Sequence, residues 1–522
     1  LCLAYGLALA DHWPLMILST MALVATAWHV IPDVIGRLKS PRFVVLSLVA
    51  FVAGLSPYVI LLLNPHPAIA VFGGIHSFRG FLGYVERSAY HDDNPIAGVS
   101  DKLHYAAWLI RLTLTEFGWA GAPLVLLGSI VSFRLLSRSM ALALVLLWLG
   151  STYVLLMLLN FEYSPFFRAV FMPYPIIACA AVALWFAFGV STISAWARRY
   201  SAPIGRLIGT AAIALILLSN YARMDRSRSV LVDHYMRTVL MSLPEHAVLF
   251  VRGDNETGPV GYLHYVAGIR PDVEVRDWSN LVFANRLASP LESRKAQQRA
   301  LRDFIDASDR PVFVMDDAIE PRIDYGAYYK FDPSGRGGYH FVPDFGPLVD
   351  MLVEVYEGGY VTNAHEQYFL LNRLAQFAKL YVGYAVAHED QVLPPDIASR
   401  VLELQRTFPG QLVTLREVVD QGKAEKQKQA LLELAALAVR QIPQYASRHS
   451  LGVFYGLYGK IELLAPANRD AARRYLKASL KVDPTAGNTS VCDLYRIYEE
   501  EGDEDEARAI ESRYARAECE SQ

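Results

Sequence analysis

Charge is what this sequence has least of. Asp, Glu, Lys and Arg make up 19% of its 522 residues, below the roughly 25% usual in soluble domains. The 49 basic residues are offset by 52 acidic ones, for a net charge of −3, so there is no basic field for a nucleic-acid partner. Cysteine is nearly missing: Cys2, Cys179, Cys492 and Cys519 are the four present, which excludes a dense disulfide framework. Neither these nor the 13 His fall at zinc-ligand spacing. The chain has no Gly-rich phosphate loop and no Gly-x-Ser-x-Gly elbow. No cofactor is implied, and a divalent cation stays open without a positive sign for one.

Apolar residues fill the space. They are 53% of the chain, with 12% aromatic, and are concentrated before Tyr221. Charge-free stretches cover 1–10, 15–31, 43–63, 117–133, 140–160, 169–197 and 207–222. A helix needs about 20 residues to cross about 30 Å of hydrocarbon, so the reading is six complete spans after a half-span. The chain opens inside an apolar run at Leu1 and is read as internal to a longer protein.

Orientation follows from the short loops. Arg37, Lys39 and Arg42, then Arg134 and Arg138, then Arg198, Arg199 and Arg206 mark three basic loops. These alternate with 64–116 and 161–168, whose charges are mixed, and the basic loops are cytoplasmic. The expectation is an integral multi-pass protein of a bacterial inner membrane, with the lipid bilayer as partner and residues 223–522 on the outer, periplasmic side.

Three regions result. Residues 1–222 form a transmembrane bundle with an outer loop at 64–116. Residues 223–345 form a small α/β layer, with strands at 247–251, 273–275 and 311–315 and a helix at 257–267. Residues 346–522 are helical. There Ala472, Leu476, Ser479 and Pro484 carry the spacing of a tetratricopeptide (TPR) second helix, and Gly502 with Ala507 begins a further unit. The fold class is mostly α: a polytopic helical membrane bundle, then the α/β layer, then a TPR-like tail able to take a protein partner. Cys492 and Cys519 flank a helical hairpin predicted around Gly502. On the outer side a disulfide between them and two free thiols are both open.

Several residues carry candidate chemistry. In the outer loop Phe78, Phe81, Leu82 and Val85 share one helical stripe, with Arg79, Glu86 and Arg87 off it. That is an amphipathic helix lying at the interface. Arg79 and Arg87 can meet a lipid phosphate; simple anchoring of the loop is the plainer reading. Asp11 and His12 end the first half-span, where an ionisable pair calls for an explanation. Arg168 stands at the outer mouth of a span, either as a planar fork for a phosphate or as a snorkelling charge. Asp254 and Asn255 follow a predicted strand, where turns are common and function is often carried.

Three stretches together resemble a known family. Gly6-Leu7-Ala8-Leu9-Ala10-Asp11-His12 is similar to a Gly-Leu-x-Leu-Gly-Asn-His motif, with Asp11 in place of Asn. His76-Ser77-Phe78-Arg79-Gly80-Phe81, continuing through Val85, Glu86, Arg87 and Tyr90, resembles an outer-loop helix ending in Arg-x-x-Tyr. Gly253-Asp254-Asn255-Glu256-Thr257 followed by Gly268-Ile269-Arg270-Pro271-Asp272-Val273 resembles Gly-Asp-Asn-Asp-Thr and Gly-Ile-Arg-Pro-Asp-Val in order. Arg168, Phe171, Met172 and Pro173 resemble the Arg-led entry to a late span. The family is that of multi-spanning GT-C-type membrane proteins which includes the animal transmembrane O-mannosyltransferase acting on plexin-type domains.

The resemblance implies a GT-C-like bundle and transfer of a sugar, mannose being the expectation. It also implies a polyprenyl-phosphate-sugar donor and an acceptor protein or glycan on the outer face. It places the catalytic acid in a loop upstream of Leu1, so no residue of this chain is assigned as the base. The rival reading is a non-catalytic, membrane-anchored envelope scaffold that binds a partner through its TPR-like tail.

Overall fold

A computed structural model describes residues 1–513 except 32, 64–76, 87–96, 173, 226, 228, 278–286, 288–292, 317–318, 362, 445 and 484–487. The chain is mostly helical with one small mixed sheet. It divides into two compact units. One comprises Leu1–Tyr163 and Phe167–Ser229; the other comprises Ser164–Phe166 and Val230–Gln522.

Among the described residues, the regular structure of the first unit is helical. Its main elements are α1 (Cys2–Leu18), α2 (Thr20–Val30), α3 (Pro41–Gly54), α4 (Pro57–Leu63), α5 (Phe78–Glu86), α6 (Val99–Thr115), α7 (Ala122–Leu135), α8 (Arg138–Leu159), the part of α9 (Pro165–Phe171) from Phe167 on, α10 (Ile176–Arg198) and α11 (Ala202–Met224). Among the described residues, α8 and α10 are long and apolar enough to cross a membrane; five further apolar helical stretches are shorter. The six full spans expected from hydropathy are therefore not all seen as single long helices. The expected span 43–63 breaks between α3 and α4, because Pro57 has no N–H to continue the ladder. The expected span 15–31 breaks at Ser19, and α1 instead runs straight through Asp11 and His12. That pair lies inside a helix, not at its end.

Small residues set the helix crossings. A Cβ on Gly128 of α7 would lie 1.6 Å from the Trp185 carbonyl oxygen of α10, and one on Gly189 would lie 2.0 Å from that of Leu124. Gly6 of α1 and Gly54 of α3 meet in the same way, each Cβ falling within 2.4 Å of a backbone oxygen on the other helix. Backbones this close are the packing mode of helices that lack a hydrophobic driving force between them. Outward, α3 exposes Val45, Leu46, Leu48 and Val49, and α11 exposes Leu217 and Leu218. Such apolar surfaces call for a non-aqueous neighbour.

The second unit begins with α12 (Leu231–Ser242), β1 (Val248–Val251), α13 (Asp254–Gly261), β2 (Glu274–Asp277) and α14 (Arg294–Ala307). It continues with β3 (Val312–Val314), β4 (Arg322–Asp324), β5 (Tyr329–Phe331) and β6 (Gly338–Tyr339). The strand order is β2-β1-β3-β5-β4-β6. β1 pairs in parallel with β2 and β3, β5 is antiparallel to β3 and β4, and β6 is parallel to β4. Strand β1 is buried along its whole length, as an unbroken apolar run in a parallel sheet predicts. Val248 and Phe250 face α14, while Leu249 and Val251 join the larger core on the other side.

The remaining helices are α15 (Phe345–Gly358), α16 (Ala364–Ala387), α17 (Pro395–Leu404), α18 (Phe408–Asp420), α19 (Lys428–Arg440), α20 (Arg448–Leu463), α21 (Arg469–Val482), α22 (Asn488–Glu501) and α23 (Glu504–Arg513). The segments read from sequence as 223–345 and 346–522 share one core. Leu249 of β1, Tyr235 of α12, Leu352 of α15 and Phe377 of α16 all lie in it. Helix α16 has two buried faces. Leu374 and Phe377 point to that core, and Ala378 and Val382 point to a second one with Phe408, Leu415 and Phe454. Ala472, Leu476 and Ser479 are fully buried on one face of α21; Pro484 lies outside the described residues. Cys492 on α22 is disulfide-bonded, while Cys2 and Cys179 are free thiols.

Candidate functional site

The residues that converge in the first unit sit where α6 meets the loop before α9. Helix α8 ends at Asn160, which takes the left-handed conformation at φ 52°, and its carbonyl accepts from the Ala97 N–H at 3.2 Å. Asp101, in the first turn of α6, then holds the loop. One carboxylate oxygen accepts from the Gly98 N–H at 2.9 Å and the other from the Tyr163 N–H at 3.1 Å. Tyr105, one turn on, donates to the Glu162 carbonyl at 2.9 Å. Two anchors on successive helical turns thus fix Tyr163.

The Tyr163 ring is covered on three sides. His104 stacks on it at 5.3 Å, the Tyr105 ring meets it edge-on at 5.0 Å, and the Arg168 guanidinium lies 5.1 Å from its centroid. Trp108 and Phe171 extend the aromatic wall, 6.0 Å apart. Arg168 Nη1 reaches the Tyr163 hydroxyl at 3.5 Å, while its Nε is buried and makes no hydrogen bond. A buried donor left unmade costs about 1–3 kcal/mol, more when charged. Chemically this is a planar cation with an unbonded donor, held over an aromatic ring on which an imidazole also stacks, against an apolar wall. That suits an anion carried on an apolar body.

The other sequence-selected residues are more scattered. Asp11 is exposed on α1, with His12 next along the helix, and Arg79 is exposed on α5, which Glu86 closes. Tyr58 of α4 joins the two helices: its hydroxyl donates to the Leu9 carbonyl at 3.1 Å, and its ring meets Phe81 at 5.6 Å. Arg87, Tyr90 and Cys519 lie outside the described residues. Asp101 and His104 were missed in sequence, although Asp101 to Tyr105 opens a helix directly after a Gly N-cap.

In the second unit Asp254 and Asn255 are exposed in the first turn of α13, and the buried residues are the next two, Glu256 and Thr257. The Glu256 carboxylate pairs with Arg373 of α16 at 2.8 Å and accepts from the Arg252 N–H at 3.2 Å. Arg373 also faces the rings of Tyr235 at 5.3 Å and Phe369 at 4.9 Å. Burial pushes the Glu256 carboxyl up despite Arg373, and pushes the Tyr235 phenol up to about 12. The Gly268–Val273 motif is a clamp. Arg270, at φ 52°, donates to the carbonyls of Leu240, Leu243 and Pro244 at 3.0, 2.7 and 2.8 Å and forks onto Asp272. Hydrogen bonds from Arg270 and the His246 N–H hold the Asp272 carboxyl well below the usual range.

Asp324, at the end of β4, is 8% exposed, with the Gly326 N–H donating to it at 2.7 Å. Burial pushes its carboxyl up to about 6, against the pull of that hydrogen bond, Arg322 and Lys379, and with a small push from Glu417. A carboxyl raised on folding holds its proton in the native state over a range where the unfolded chain has lost it. Stability therefore falls as pH rises from the ordinary value of 3.8 through about 6. Asp324→Asn keeps the acceptor and removes the charge. It is expected to stabilise the fold at pH 8 by up to about 3 kcal/mol, at 1.36 kcal/mol per pKa unit, and by little at pH 4. Urea unfolding at the two pH values measures this; an equal effect at both would contradict it.

Among the described residues no group of three or more His, Cys, Asp or Glu is placed to hold a metal. Curated proteins similar to the chain include two O-mannosyl-transferases. Protein O-mannosyl-transferase TMEM260 of Mus musculus is 27% identical over 276 residues, covering 49% of this chain and 38% of the mouse protein. Protein O-mannosyl-transferase tmem260 of Dictyostelium discoideum is 24% identical over 312 residues, covering 50% of this chain and 37% of that protein. The chain thus matches less than two-fifths of these relatives' length. No family model and no solved structure matches it.

Proposed function

We propose that this chain is a multi-pass membrane glycosyltransferase of GT-C type that moves mannose from a polyprenyl-phosphate sugar to an acceptor hydroxyl on the outer side of the membrane. The observation that carries the reading is Arg168, with its buried and unbonded Nε against the wall of Tyr105, Trp108, Tyr163 and Phe171. Homology to proteins named O-mannosyl-transferases supports the sugar. Long and short apolar helices and the alternation of basic loops support the bilayer and the side. The buried Ala472, Leu476 and Ser479 support a TPR-like tail.

In this reading the acceptor oxygen attacks the anomeric carbon as a carboxylate takes its proton. The bond from that carbon to the phosphate oxygen breaks, and polyprenyl phosphate leaves with the electron pair. Arg168 takes up the developing phosphate charge, and the aromatic wall receives the first isoprene units. A photoreactive polyprenyl-phosphate-mannose, added to the chain in lipid nanodiscs, should label it within α6 or 161–171. Label that free polyprenyl-phosphate does not compete away, or that maps elsewhere, would overturn the reading.

A further inference from the structure

A cavity of about 930 Å³ opens in the second unit between the β4–β6 edge of the sheet and helices α16, α18 and α20. Its contributors come from separate parts of the chain. Asp324 and Tyr339 come from the sheet, Lys379 and Tyr384 from α16, and Arg416 and Glu417 from α18.

Three features define what it can hold. Basic and acidic side chains line it in equal number, and several are already matched, with Arg322 2.5 Å from Glu320 and Arg416 3.4 Å from Asp420. A phosphate or a polyanion would meet as many carboxylates as cations, so neither sign of charge is selected. Rings stand among these charges. Tyr384 stacks with His388 at 4.2 Å and receives the edge of Tyr339 at 5.9 Å. The lip is a rigid turn, in which the Asp332 carboxylate accepts from the N–H groups of Ser334, Arg336 and Gly337 at 3.0, 3.1 and 2.8 Å.

We infer that this cleft binds a neutral oligosaccharide, with the Tyr384–His388 stack as its apolar platform and the charged pairs as donors and acceptors for ring hydroxyls. Hydroxyl groups need both partner types, and sugar rings present flat C–H faces, so a charge-balanced cleft with aromatic rings matches them better than it matches an ion. A peptide strand added to the sheet is the competing occupant. The available edge is β6, only two residues long, too short for a ladder of main-chain hydrogen bonds.

The test is titration of the full chain in nanodiscs with mannotetraose, maltotetraose and chitotetraose, read by saturation-transfer NMR. At least one is expected to bind with a Kd below about 1 mM. Glu417→Gln and Lys379→Met are each expected to weaken that binding at least tenfold with an unchanged thermal unfolding midpoint, and Tyr384→Phe to preserve it. The inference is overturned if none of the three binds the wild-type chain, if both polar variants bind as wild type does, or if a peptide, and no sugar, competes at these residues. The titration reads the second unit and the donor photolabel reads α6 and 161–171, so either reading can fail without the other.

Discussion

Arg168→Ala should reduce labelling by the photoreactive donor about 10- to 100-fold, the loss expected when one charge-assisted hydrogen-bonding group worth about 1.5–3 kcal/mol is removed from a bound phosphate. Arg168→Lys should recover only part of it, because an ammonium keeps the charge but not the planar fork that the Tyr163 ring orients. The pair of variants separates anion recognition from packing. If Arg168 only snorkels to water, alanine and lysine behave alike and labelling is unchanged. His104→Ala serves as a second reading of the same place, since its ring stacks on the Tyr163 ring that also faces the guanidinium. Unchanged labelling in both alanine variants would leave the chain better described as a scaffold.

Arg373→Leu is the substitution expected to harm folding most, by about 3–5 kcal/mol, because it strands the buried Glu256 carboxylate without its partner. Both side chains are less than a tenth exposed, so solvent cannot stand in for the lost guanidinium. The two cation–ring contacts to Tyr235 and Phe369 go with it. The pH signature has a definite sign. Burial already raises the Glu256 carboxyl, and removing Arg373, which lowers it, raises it further. The variant therefore loses stability more steeply than the wild type as pH rises above the ordinary carboxylate range. Adding Glu256→Gln to Arg373→Leu should restore much of the loss at pH 7. Chemical denaturation of the three proteins checks it, and an Arg373→Leu protein as stable as wild type would show that the pair contributes nothing.

The helical spacing at 472–479 illustrates how far local pattern reaches. Ala472, Leu476 and Ser479 are one and two turns apart, and a helix puts residues at that spacing on one face whatever surrounds it; all three are buried. The strands around Leu249, Val275 and Phe313 were legible for a similar reason, since short β-branched and aromatic runs between turn residues need no distant information. Strands β4 to β6 were not legible. Arg322-Ile323-Asp324 and Tyr329-Lys330-Phe331 are short and charged, and they become strands only because their partners are already in place.

What the sequence by itself determined is composition along the chain: an apolar helical half, a charged half with a small sheet, and the helices that follow it. Periodicity and side-chain type are local properties, and they survive any tertiary arrangement. Only the tertiary structure decided which residues meet. Glu256 and Arg373 are 117 positions apart, and the sequence drew attention to the exposed Asp254 and Asn255 beside them. Asp101 and Tyr163 are 62 apart, and nothing in either segment announces the other. Even the Gly-Ile-Arg-Pro-Asp-Val motif, conspicuous as text, is a clamp whose Arg270 finds its acceptors at the end of α12. Buried polar groups choose partners by geometry and desolvation, and both exist only after the chain has folded.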